Sequence, residues 1–252
     1  MNDAPPEPTS FLYPFIDAEE RDPEGLLAGL VASARQKVGA SVRLRTQTLA
    51  QCGDELSAAG AAMAARFARG GRLFAFGNGG SATDADALAA RFRSPPWGAA
   101  LPASSLVADR SVITALGNDV GFDLVFARQL IAHARADDIA VGISTSGGSA
   151  NVLSGFTAAH RQGLLTVGVS GYGGGSMAAG GDVAHCIVVR SESVHRIQEA
   201  QDAVLRALWA SVQAALPAAR DGARSPRRRG ERAGKGGEPA GESSTRRRRG
   251  AR

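Results

Sequence analysis

Cysteine is nearly absent from this 252-residue chain: only Cys52 and Cys186 occur. They lie far apart and form no metal-ligand spacing, so two reduced thiols in a cytoplasmic protein are expected rather than a disulfide framework. No apolar run approaches the ~18 residues that a membrane span needs. The start, MNDAPPEPTSFLYPFIDAEERD, is acidic and proline-rich. It has neither the basic opening nor the apolar stretch of a secretion signal.

The folded part also lacks a basic surplus. The whole chain carries +5, but twelve of its 29 basic residues and only four of its 24 acidic ones fall in 220–252. Residues 1–219 therefore carry −3, which removes the case for a nucleic-acid-binding domain. The end, with Arg227–Arg229 and Arg246–Arg249 and no large apolar residue, reads as a disordered basic tail over 218–252. A polyanion or a membrane surface is its non-specific partner at most.

What the chain does have is two loops of glycine and serine, each closing an apolar run and opening a helical one. Arg72–Phe76 leads into GNGGSATDADALAARF, and Ile139–Ile143 leads into STSGGSANVLSGF. A buried strand, a loop of small residues and a helix start leave unpaired N–H groups and the helix's positive end at one spot. With nearby hydroxyls, that spot can seat a phosphate. Neither loop is a nucleotide motif. No lysine follows as a P-loop requires, and Ala82 stands where G-x-G-x-x-G needs its third glycine.

Around these loops the periodicity predicts helices at 25–50 and 55–69, then alternating elements. Strands are expected at 72–76, near 103–107, and at 139–143, 165–169 and 184–189. Helices are expected at 82–93, 110–117, 122–135, 149–161 and 195–215. Short apolar strands separated by helices mean a parallel sheet covered on both faces. Ligands on such sheets sit beyond the strands' carboxyl ends, where both serine loops fall. An irregular arm is expected over 1–24 and the domain over 25–217.

The ordered series GNGGSA, LVADRS, ITALGND, GFDLVFARQL, GISTSGGSANVL, VGVSGYGGGSMA and RIQE resembles the sugar isomerase (SIS) domain of phosphoheptose isomerases, over about residues 30–215. The resemblance implies a flavodoxin-like α/β/α fold with a five-stranded parallel sheet and N-terminal helices. It also implies a homotetramer or dimer of dimers, with a phosphosugar site shared between subunits. By position, it assigns Asn78, Ser81, Asp109, Ser144, Thr145, Ser146, Ser149 and Gln198 to that site. A protein partner is expected by analogy with non-catalytic members.

The catalytic half departs from the family pattern. Zinc-dependent members carry His and Glu on the helix after the first loop, where this chain has Ala87 and Arg91. On the last helix the family's Gln is kept as Gln198, but its second His is Arg206. Arginine offers only donors and a fixed positive charge, so no metal is expected. The chain then reads as a phosphosugar-binding, regulatory relative. The alternative is an aldose–ketose isomerase with a metal-free acid/base pair, for which Glu199 and His195 are the candidates. The other reading of Glu199 is a pair with Arg196 or Arg206. Arg91 and Arg206 are candidate contacts for an extra anionic group, or partners of Asp86, Glu199 or Asp202.

Overall fold

The computed structural model describes residues 23–224. The rest of the expected arm and tail lies outside the described residues. Helix α1 (Pro23–Gln51) and α2 (Gly53–Ala68) come first. Then β1 (Leu73–Gly77), α3 (Gly80–Arg93), β2 (Ala103–Ser105), α4 (Arg110–Asp119) and α5 (Val125–His133) follow. The chain continues through β3 (Ile139–Ser144), α6 (Ala150–Arg161), β4 (Leu165–Gly171), α7 (Gly175–Ala179), β5 (His185–Val189) and α8 (Val194–Arg224).

All five strands run parallel in the order β2-β1-β3-β4-β5. Alternation along each strand sends side chains to two cores. Leu73, Ala75, Val141 and Val167 meet α2, α3 and α8 through residues such as Met63, Leu88 and Leu208. Phe74, Phe76 and Ala140 meet α5, α6 and α7 through Phe126, Phe156 and Met177. This is the expected three-layer α/β/α arrangement. Phe76 lies fully buried between Phe126 and Phe156, ring centroids 5.2 and 5.4 Å away. Burying one such ring contributes about 1.5–3 kcal/mol. That packing requires Gly142 on β3, where a Cβ would stand 2.5 Å from the Phe156 ring.

Several boundaries differ from expectation. Strand β2 stops at Ser105, because an edge strand pairs only with β1 and the chain then turns, with Ala108 N–H donating to the Ser105 carbonyl at 3.4 Å. The helix expected over 122–135 is split into a 3₁₀ turn at Phe122–Leu124 and α5. Helix α7 was not expected at all; it is five residues long and glycine-rich at its start. Helix α8 runs to Arg224, beyond the expected helix end at 215 and through Pro217. The flanking Ala214, Ala215, Ala218 and Ala219 are strong helix formers that carry it across.

Candidate phosphosugar site

The sheet order places the site. β1 and β3 are neighbours, yet their following helices leave in opposite directions, α3 to one core and α6 to the other. The crevice between them is the topological switch point, and both serine loops meet there. Gly79, at φ +54°, turns the chain into α3.

The two loops are tied together by a pair of side chains. The Asn78 amide donates to Asn151 Oδ1 at 2.8 Å, and the Asn151 amide donates to Asn78 Oδ1 at 2.9 Å. Asn151, buried on α6, was not singled out from the sequence, although it stands inside the second motif. In that loop the Ser144 hydroxyl lies 3.0 Å from that of Ser149 and 3.4 Å from that of Ser146. Gly148 N–H donates to Ser146 Oγ at 3.2 Å. Ser149 stands at the N-cap of α6 without a side-chain cap bond, so its hydroxyl is not spent on the helix. The loop is braced from below by Gly171 N–H to the Thr145 carbonyl at 3.0 Å and Met177 N–H to the Gly147 carbonyl at 2.8 Å.

The other assigned residues fall in different places. Ser81 is buried in the first turn of α3 against Gly77. Asp109 caps α4, its carboxylate accepting from Ser111 N–H at 2.9 Å and Val112 N–H at 3.1 Å. The Gln198 side chain is brought from α8 directly against Gly80, filling the space where a Cβ would stand. Beside the first loop opens a cavity of about 340 Å³, lined by Asn78, Val107, Arg110, Thr114, Phe122 and Phe126 among others. Arg110 and Thr114 were legible only as part of a motif, since one turn of an exposed helix carries no signal of what it faces.

The residues at the positions that the resemblance links to zinc and catalysis have other surroundings. Arg91 lies over the Trp209 ring, 5.6 Å from its centroid, and Trp209 in turn meets the edge of Trp97. Arg206 Nε donates to Asp202 Oδ2 at 2.8 Å along α8. Ala87 is exposed. Glu199 accepts from the Ser41 hydroxyl and stands 3.9 Å from Arg45 Nη2, both on α1. Its partner is therefore neither Arg196 nor Arg206, because its turn of α8 faces α1. Glu199 and His195 line a second cavity between α1 and α8, not the serine-loop crevice. Asp84, on the face of α3 that carries Arg91, has its carboxyl pushed up to about 6, first by burial and then by the charge of Asp202. Among the described residues no three His, Cys, Asp or Glu side chains gather where they could hold a metal ion. Among them, too, no helix is long and apolar enough to cross a membrane.

A parallel sheet with paired serine loops at its switch point defines the class of the SIS domain, and the comparisons agree: the model described as "SIS domain" matches residues 38–171. Relatives include the phosphoheptose isomerase of Rhodospirillum rubrum, 42% identical over 170 residues, which span 67% of this chain and 89% of that protein. The Desulfovibrio desulfuricans phosphoheptose isomerase is 46% identical over 172 residues, covering 67% of this chain and 80% of the relative. Among solved structures, the phosphoheptose isomerase from Neisseria gonorrhoeae superposes with a TM-score of 0.68 at 33% identity, over 73% of this chain and 99% of the other. That from Francisella tularensis gives 0.69 at 27% identity, over 73% and 98%. The chain belongs to the SIS-domain family of phosphoheptose isomerases.

Proposed function

We propose that the paired serine loops hold the phosphate of a sugar phosphate, and that binding this ligand without zinc is the protein's function. The observation that carries the proposal is the reciprocal Asn78–Asn151 pair, which fixes the first loop against the start of α6 at the switch point. Each favourable anion–dipole contact at a helix start contributes about 0.3–1 kcal/mol. Three neighbouring hydroxyls add charge-assisted hydrogen bonds. Calorimetric titration with sedoheptulose 7-phosphate tests it. The double substitution Ser146→Ala/Ser149→Ala is expected to weaken binding roughly tenfold or more. Unchanged heat in that variant sinks the proposal.

The residues at the four family ligand positions do not fit zinc. Gln198 is one oxygen donor, Ala87 has none, and both arginines are committed to other partners.

A second reading is favoured by the names of relatives more than 40% identical to this chain. In it the protein is an aldose–ketose isomerase that moves a proton between a sugar phosphate's first two carbons without a metal. Asp84 gives this reading a carboxyl near neutral poise at the start of α3. Incubation with sedoheptulose 7-phosphate, with and without zinc, separates the two. Zinc-independent aldoheptose formation that is lost in Asp84→Asn supports the isomerase; stabilisation by the sugar without product supports the binding protein. Zinc-dependent turnover defeats both.

A further inference from the structure

The second cavity, of about 360 Å³, lies between α1 and the beginning of α8. Its charged lining is Lys37, Arg45, Arg196 and Glu199, with His195 and the hydroxyls of Ser41 and Ser193 beside them. Three fixed cations thus face one carboxylate. That carboxylate is already bonded to Ser41 and near Arg45. Lys37 and Arg196 have no ion pair or hydrogen bond from their side chains among the described residues, and Arg196 is half-buried.

The helix start adds to the same imbalance. A first turn normally favours acidic residues, which offset the positive end of the dipole. α8 is 31 residues long and has no acidic residue there; it opens Val194–His195–Arg196 instead. The first bond into the helix is Ile197 N–H to the Ser193 carbonyl at 2.9 Å, so the N–H groups of residues 194–196 precede it. Clustered cations, a cationic first turn and open amides all raise the cost of leaving this cavity without a counter-charge.

We propose that this cavity is a second anion site, separate from the serine loops, that takes a small phosphate ester. Arg196 and Lys37 contact the phosphoryl oxygens, the α8 amides complete its seat, and the free oxygen of Glu199 accepts from a ligand hydroxyl. The phosphate class follows from the donor set, since several cations and amides around one small cavity match a compact dianion better than an extended acidic chain. Nothing in this proposal depends on the serine loops binding a sugar.

The test uses the full chain and inorganic phosphate, titrated by calorimetry against chloride at equal ionic strength. Wild type is expected to show two sites. Lys37→Gln/Arg196→Gln should lose one of them, weakened roughly ten- to a hundredfold, and keep the other. Ser146→Ala/Ser149→Ala should do the converse. Because Arg196 is half-buried, Lys37→Glu alone provides an exposed charge reversal that should also weaken this site, with an unchanged circular dichroism spectrum. If both α1/α8 variants bind phosphate as wild type does, the site does not exist. If the serine variant alone abolishes all binding, the second site fails while the serine-loop function stands. If the α1/α8 variants alone abolish it, the reverse holds.

Discussion

At the residue scale, the chemistry turns on a few side chains whose surroundings differ from their sequence neighbourhood. Asn151 is buried and makes two bonds with Asn78. Asn151→Ala takes away the partner of both the donor and the acceptor of the Asn78 amide and is expected to cost about 1–3 kcal/mol, read as a fall in thermal midpoint together with weaker phosphosugar binding. Asn151→Asp keeps one of the two bonds and should fall between. Asp84 behaves oppositely. Its carboxyl is raised from 3.8 to about 6, so the folded state holds the proton more tightly than the unfolded chain does. Stability is thus greatest below the unfolded value and declines as pH climbs through the interval up to about 6. Asp84→Asn should stabilise the protein at pH 7.5 by about 1 kcal/mol, after discounting for a half-exposed group. The gain should vanish near pH 3.5, and melting curves at the two pH values check it. A wild type no less stable at pH 7.5 than its Asn variant rules this account out.

Among the elements, the second serine loop is the one whose shape is forced. Gly147 has φ +64°, and a Cβ there would run into the backbone carbonyl of Gly174 at the start of α7. Its own carbonyl accepts from Met177 N–H, so it cannot move aside without breaking that bond. Gly147→Ala should therefore cost more than the ~1 kcal/mol of left-handed strain alone. It should also abolish phosphosugar binding in protein that still gives a helical spectrum. Retained affinity in Gly147→Ala would mean that the loop's conformation is not what holds the ligand. α7 explains why this loop is rigid. It is short, and no periodic signal marks it, so its bracing role emerges only once β4 and β3 lie side by side.

For the whole molecule, the long leading helix is the outstanding feature. α1 contacts α8 along part of its length, while Leu26, Leu27, Leu30 and Val31, before the residues that line the second cavity, remain exposed. A surface of that kind marks an interaction face, and a second copy of this chain is the partner that the resemblance implies. Sedimentation of the full chain is expected to show a species larger than a monomer, and Leu27→Glu/Leu30→Glu should shift it toward the monomer. A monomeric wild type would remove the expected oligomer. The strand positions, the two serine loops and most helices could be read from the chain, because short apolar runs, helical apolar spacing and glycine-rich turns are local properties; the strand order came only with the fold. Ala87, Arg91 and Arg206, at the positions where the resemblance puts zinc ligands, were equally visible, since they are identities rather than geometries. What Arg91 does instead was decided by packing, as it finds Trp209 more than a hundred residues away, whereas the pair of Arg206 with Asp202, one helical turn back, was among the partners the sequence offered. Packing also decided the partner of Glu199, whose turn of α8 faces α1 rather than the loops. Residue type and local spacing settle which groups can donate, accept or carry charge; only the docking of one helix on another settles which of them meet, because those distances span the whole chain.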